Sequence, residues 1–361
     1  MKLRKIDKPF LISIILLTAG GFIIFASASL GLLAREGATF QSVTTYQFIG
    51  LIIGVIAFLV SSKIPYANWK KFSFYIFLIV IILNLLIFIP GIGLYHGGAS
   101  RWINLRFITF QPSEFLKIAF IIYFAAWLSG VKDRIRTFKM GLLPFIVMAG
   151  IVGVILLGQS DTDAFVVTMS AGMAMFIAAG ARWKHVAMLV IIGLLGIGLV
   201  AAVRPYARAR IMTFLNPQTD VQGAGYQINQ SLIAIGSGKM FGRGFGQSVQ
   251  KFNYLPEPIG DSIFAVQAEE FGFVGSVILI GLYVFFAFRT FKISARAPDA
   301  FGSLVTLGIA VLILVESFMN IAAMLGVIPL SGEPLLFVSH GGTALIIILG
   351  ATGIIANISR H

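Results

Sequence analysis

The chain opens MKLRKIDKPFLISIILLTAGGFIIFASASLGLL (residues 1–33). Four cations, Lys2, Arg4, Lys5 and Lys8, precede an apolar run from Phe10 to Leu33. A helix rising about 1.5 Å per residue over that run is long enough to cross a hydrocarbon core roughly 30 Å thick. The stretch has the outline of a secretory signal, with Ala26-Ser27-Ala28 as a conceivable cleavage site. Its length exceeds the roughly 7 to 15 residues of a signal core, so an uncleaved first span is expected.

The same pattern continues downstream. Of the 361 residues, 58% are hydrophobic and 11% charged, and the mean hydropathy is +0.95. That composition lies outside the range of soluble globular domains. The expected fold is all-α, one integral membrane domain over residues 1–361. Apolar runs between polar breaks predict ten transmembrane helices, at roughly 10–33, 46–62, 72–91, 111–130, 140–158, 164–181, 186–203, 262–289, 300–326 and 339–357. The absence of cysteine excludes disulfides, thiol nucleophiles and cysteine-bound metals.

An even number of spans returns both ends of the domain to one side. With the N-terminus cytoplasmic, the inside segments carry 17 of the 27 cations, including Lys63, Lys70, Lys71, Lys132, Arg134, Arg136, Lys139, Arg182, Lys184, Arg289, Lys292 and Arg296. This is the positive-inside bias, and it accounts for the net charge of +13 without nucleic acid. The outer side then holds the connection 92–110, the turn 159–163 and the longest non-spanning stretch, about 204–261. That loop is too long for a simple connector, and the apolar spacing of Tyr226 to Ile235 predicts a short amphipathic or re-entrant helix within it.

Ionisable groups inside spans cost at least about 2.5 kcal/mol each and call for a partner or a function. Glu114 and Lys117 sit three apart on one face of the fourth span, suited to a structural ion pair or to a substrate or cation site. Glu316 and Asn320 share a face of the ninth span, where a structural hydrogen bond is expected. Glu269 and Glu270 lie in the eighth span, and Asp261 stands at its outer mouth. An acid there serves equally as a helix cap. Arg204, Arg208 and Arg210 break the positive-inside bias where the seventh span emerges, and Arg35, Arg101 and Arg106 are also outside. Guanidinium groups at such a point suit a lipid diphosphate or an anionic headgroup, or simply anchor the span end. No histidine spacing suggests a metal site, and Gly242-Arg243-Gly244-Phe245-Gly246 lacks the GxGxxG spacing of a dinucleotide loop. Synthetic chemistry on the outer face needs a donor that arrives already activated, and a lipid diphosphate meets that need.

Several motifs occur together and in order: Gly98-Ala99-Ser100-Arg101-Trp102, Gln111-Pro112-Ser113-Glu114 through Lys117, Gly225-Tyr226-Gln227, Gly246-Gln247-Ser248-Val249-Gln250-Lys251, Tyr254-Leu255-Pro256-Glu257 to Asp261, Glu269-Glu270, and Pro329 to Gly342. Over nearly the whole chain they resemble the SEDS glycosyltransferases, the family of the division protein FtsW and the elongation protein RodA. The Ser248 to Lys251 stretch leans towards the division branch. The chain departs from the family pattern at Ile259-Gly260, where His-Thr is usual, at Asp163 in place of a glycine, and at His340 in place of a tyrosine.

The resemblance implies a ten-helix protein of the bacterial cytoplasmic membrane with cytoplasmic termini. It implies polymerisation of lipid II into glycan on the outer face, releasing undecaprenyl diphosphate, with a class B penicillin-binding protein as transpeptidase partner among other division or elongation proteins. It makes Asp261 the expected general base, with Arg101, Glu114, Lys117, Asp161, Arg204, Arg208, Arg210 and Glu257 as expected substrate-binding or shaping residues. A divalent cation, Mg or Mn, between phosphate and carboxylates is an expected cofactor. Two other readings stay open: a lipid II flippase, which needs essential groups at mid-membrane such as Glu269, Glu270 and Glu316, and a non-catalytic scaffold for the transpeptidase.

Overall fold

The computed structural model describes residues 6–34, 40–96, 99–104, 109–216 and 223–361. Arg35, Gly98 and Arg106, named above, lie outside them, as does part of the long 204–261 connection. The described chain folds into α1 (Lys8–Ser29), α2 (Phe40–Lys63), α3 (Tyr66–Leu85), strands β1 (Gly93–His96), β2 (Ala99–Asn104) and β3 (Thr109–Phe110), α4 (Pro112–Val131), α5 (Leu143–Gly158), α6 (Thr162–Ala178), α7 (Trp183–Val203), α8 (Pro205–Leu215), α9 (Ala224–Ser237), α10 (Ile263–Ala295), α11 (Ala300–Met324) and α12 (Gly342–Ile358). Every apolar run of the sequence coincides with a helix. Eight of these, the helical stretches of α1 to α5, α7, α10 and α11, are long and apolar enough to cross a membrane, and α6 and α12 are shorter apolar helices.

The bundle is organised around α11, whose apolar window is 67% buried, against 11% for α7. α11 packs on α4, α6, α10 and α12, whereas α7 buries only Val186 and Leu189. Large aliphatic and aromatic side chains cover the outside, among them Val154, Leu195, Phe285 and Phe288. A water-soluble monomer does not expose apolar surface on that scale, and lipid is the solvent it fits. At one end, Asp7 caps α1 through Phe10 N at 2.9 Å, pairs with Arg289 at 2.5 Å and donates from its backbone N to Ser359 Oγ at 3.3 Å. Asn357 there accepts from Tyr66 N and donates to the Ser62 carbonyl. The starts of α1 and α3 and the ends of α2, α10 and α12 therefore meet.

Three features differ from expectation. The connection before α4 is a three-stranded antiparallel sheet in the order β1-β2-β3, with a register shift between Leu94 and Tyr95. The long 204–261 connection contains the expected helix as α9 but also α8, whose start is marked by Pro205 at its first turn. The eighth span is broken: Gly272 takes φ 65° and ψ −165° inside α10.

That break is closed by the chain itself. Arg243 N and Gly244 N donate to the freed carbonyls of Glu269 and Glu270, and Phe273 N and Val274 N donate to Lys239 O and Met240 O. Irregular backbone survives at such depth only when protein satisfies it, and the 239–244 segment does so on both sides of the kink. The backbone angles at residue 272 belong to a region that only glycine enters freely. A Cβ there would also fall 2.3 Å from Gly242 N. Gly272→Ala is expected to cost about 2 kcal/mol or more, read as a lowered melting temperature of the purified protein in detergent.

Candidate active site

Several charged side chains gather at one end of the helices, around the starts of α4, α6 and α10. Arg101, on β2, donates to the carbonyl of Ser160, and its guanidinium lies 3.8 Å from the Asp161 carboxylate. Ser160 holds φ 58°, which turns its carbonyl towards the arginine. Asp161 is buried at the start of α6 and accepts from Ser113 Oγ at 3.3 Å and Gln111 Nε2 at 3.4 Å. The fourth-span motif and the 159–163 turn therefore form one unit, an arrangement their separation in sequence conceals.

Arg210, midway along α8, reaches the same place. Its Nη1 lies 2.6 Å from Asp163 Oδ2, which also accepts from Gly332 N at 2.9 Å. Both guanidinium groups converge on Gly332: a Cβ there would lie 3.4 Å from Arg210 Nη2 and 3.8 Å from Arg101 Nη1. Asp163, the residue that departs from the family pattern, thus ties α6, α8 and the loop before α12 together. Arg204 and Arg208 differ from Arg210; their side chains are exposed near the α7–α8 corner. The expected three-arginine cluster is one inward arginine and two at the rim, because eleven helical residues of α8 turn successive side chains to different faces.

Asp261 stands partly exposed beside this pair. The cap of α10 is Ser262, with no side-chain capping bond, so the capping role does not fall to Asp261. Its backbone is held: Asn320 Nδ2 donates to its carbonyl at 2.8 Å, and Ser339 Oγ and His340 N donate to the carbonyls of Gly260 and Ile259. Glu257, between Pro256 and Pro258, takes φ 45°, and its carbonyl accepts from both Gly260 N and Ser262 N. Burial raises the Asp261 carboxyl to about 7; the charges of Glu257 and Asp163 push the same way, and Arg210 and Arg101 pull it down. An acid poised there exchanges its proton near neutral pH, as a general base must.

Below the site lies a second, closed cluster. Lys117 Nζ is 2.8 Å from Glu114, 2.7 Å from Glu316 and 3.2 Å from Glu333, and all four side chains are buried. The expected Glu114–Lys117 pair exists, but the three N–H donors of Lys117 face three carboxylates and leave none for a diphosphate. Of the two roles expected of these residues, substrate site or structural pair, this geometry fits the structural pair. Among the described residues these three glutamates are the one group close enough to share an ion, and the ammonium already occupies the space between them. Glu316 pairs with Lys117 instead of Asn320, whose amide bridges the carbonyls of Asp261 and Glu333. Sequence reasoning passed over Glu333 because it sits outside every apolar run, where a charge attracts no notice.

Glu269 and Glu270 are equally committed. Glu270 pairs with Lys251 at 2.8 Å and accepts from Ser27, while Glu269 accepts from Ser248 Oγ at 2.6 Å and Val249 N at 3.1 Å and pairs with Arg243. The 246–251 motif is thus a plug locked to α10, not a ligand loop.

The family model FtsW/RodA/SpoVE, described as a cell cycle protein, matches residues 8–361. Stage V sporulation protein E of Bacillus subtilis is 38% identical over 353 residues, covering 97% of this chain and 96% of that protein. A probable peptidoglycan glycosyltransferase FtsW of Trichlorobacter lovleyi is 38% identical over 369 residues, covering 99% and 94%. A solved peptidoglycan synthase complex superposes with a TM-score of 0.81 at 24% identity, covering 98% of each chain. The rod shape determining protein RodA of Thermus thermophilus gives a TM-score of 0.73 at 22% identity, covering 98% and 97%. These two structural likenesses speak for the fold.

Proposed function

The chain belongs to the FtsW/RodA/SpoVE family of cell cycle proteins, and from that premise we propose that it is a peptidoglycan glycosyltransferase whose base is Asp261. It is a multi-pass membrane protein with a RodA-like fold. In the proposed reaction Asp261 takes the proton from the 4-hydroxyl of an acceptor lipid II as that oxygen attacks the anomeric carbon of the lipid-linked donor. The bond from that carbon to the diphosphate breaks, and undecaprenyl diphosphate leaves with both bonding electrons. One base suffices, since the diphosphate needs charge stabilisation more than protonation. Arg101 and Arg210 supply it, with Arg204 and Arg208 meeting the lipid headgroup at the rim. The observation that carries this reading is Asp261, half-exposed and raised to about 7 beside two converging guanidinium groups.

The proposal includes ten spans, of which α6 and α12 are the short ones, both ends in the cytoplasm, and the Asp261 face outside the bacterial cytoplasmic membrane. A divalent cation would be held between the diphosphate and the outer carboxylates, where it would stabilise the leaving group. The partner is a class B penicillin-binding protein, for which the likeness to a peptidoglycan synthase complex is the support; the Ser248 to Lys251 motif favours the division branch.

A gel assay for glycan polymer from lipid II, with and without the transpeptidase, tests the reading. Product in either lane supports it; transport of lipid II without polymer would favour a flippase, and neither would favour a scaffold. Glu269 and Glu270 being locked in structural ion pairs weighs against the flippase. The pH profile adds a finer test. The base acts deprotonated, so the acid limb of kcat/KM should rise with pH up to about 7. Glu257→Gln removes a charge that raises Asp261, so its limb should move to lower pH, by a modest amount because Glu257 is exposed.

A further inference from the structure

We propose that Glu333 is a neutral acid, holding a proton in the closed cluster beneath the active site and donating it in a hydrogen bond to Glu316. The two carboxyl groups meet at the Lys117 ammonium, 2.7 and 3.2 Å from it, with oxygens within 4.8 Å of one another, and two carboxylate oxygens share a hydrogen bond only when one carries hydrogen. A second observation points the same way. Glu316 is fully buried, one of its oxygens accepts from Lys117, and the other, Oε1, has no partner. Buried acceptors are nearly always satisfied, and an O–H from Glu333 satisfies this one while its other oxygen still accepts from Lys117 at 3.2 Å.

Charge counting agrees: three carboxyl groups share one ammonium within 4.8 Å, and like charges at that range do not all ionise. The groups facing Glu333 are Lys117 and Glu114 from α4, Glu316 from α11 and Asp161 from the α5–α6 turn. Glu333 itself lies in the connection between α11 and α12. Burial drives it well above the ordinary carboxylate range; Lys117 opposes this, and Glu316, Asp161 and Glu114 reinforce it. Because Asn320 joins the Glu333 carbonyl at 3.0 Å to the Asp261 carbonyl at 2.8 Å, ionising Glu333 against Glu316 would loosen the backbone under the base.

A raised folded-state value contributes stability that is complete below the unfolded carboxylate value and is lost as pH rises through the folded one. The wild type should therefore melt at lower temperature, and lose activity, on the alkaline side. Glu333→Gln keeps a donor to Glu316 and cannot ionise, so both losses should vanish, with the variant keeping its neutral-pH activity where the wild type has lost half or more. The activity arm rests on the glycosyltransferase reading; the spectroscopic arm does not. In an Asp261→Asn background, which removes the carboxyl outside the cluster that is raised to about 7, infrared spectra should show a protonated carboxylic C=O stretch that shifts in D2O, fades at alkaline pH and disappears on adding Glu333→Gln. Absence of that band at neutral pH in Asp261→Asn overturns the proposal even if Glu333→Gln fails to fold. Persistence of the band in folded Glu333→Gln overturns it as well.

Discussion

Asp261→Asn is expected to lower lipid II polymerisation by about 10²- to 10⁴-fold, the contribution of a positioned general base. The substitution keeps the volume and a hydrogen-bonding oxygen, but an amide does not take up the hydroxyl proton. The fold has little to lose. The Asp261 carboxyl caps no helix, since Ser262 is the cap of α10, and the segment is held by its carbonyl through Asn320 and by Ser339 and His340. Relieving a half-buried carboxyl of a charge that its surroundings disfavour should leave melting temperature unchanged or slightly higher above neutral pH. Substrate affinity should change little, because the diphosphate is met by Arg101 and Arg210, so the loss should appear in kcat. Near wild-type polymer formation by purified Asp261→Asn would remove the base from the mechanism.

The helices were readable because lipid imposes a simple rule: apolar runs long enough to span are helices. The rule stops where backbone leaves the hydrocarbon or bends inside it. The β1–β3 sheet, α8 and the kink at Gly272 carry no hydropathy signal, and the kink depends on Lys239 to Gly244 folding back to meet it. The site divides similarly. Asp261, Arg101 and Asp161, which the proposed site uses, stood out in the sequence from their motifs. Arg210 could not be told from Arg204 and Arg208 until α8 set their directions. The Asp163 link to Gly332 joins residues 169 apart, and Glu333 reaches Lys117 across 216; no local spacing encodes either.

Lys117 is where removal of one side chain should damage the fold most. Lys117→Met keeps most of the stem's packing and deletes the ammonium, leaving Glu114, Glu316 and Glu333 enclosed together. Breaking a buried ion pair by removing one member costs about 3 to 5 kcal/mol, a large part of the roughly 5 to 15 kcal/mol that holds a typical domain. Low yield of folded protein, or a sharply lowered melting temperature in detergent, is the expected result. Replacing the charges together should behave differently. Lys117→Met combined with Glu114→Gln and Glu316→Gln leaves no stranded carboxylate except the proposed neutral Glu333, and part of the lost stability should return, because residues in one network do not contribute additively. The restored protein also discriminates between the two roles first open to Lys117. If the ammonium only neutralises the cluster, the triple variant polymerises lipid II once it folds; if it grips the donor diphosphate, the variant folds and stays inactive. Unchanged stability in Lys117→Met alone would show that the four buried groups are not held together by this charge.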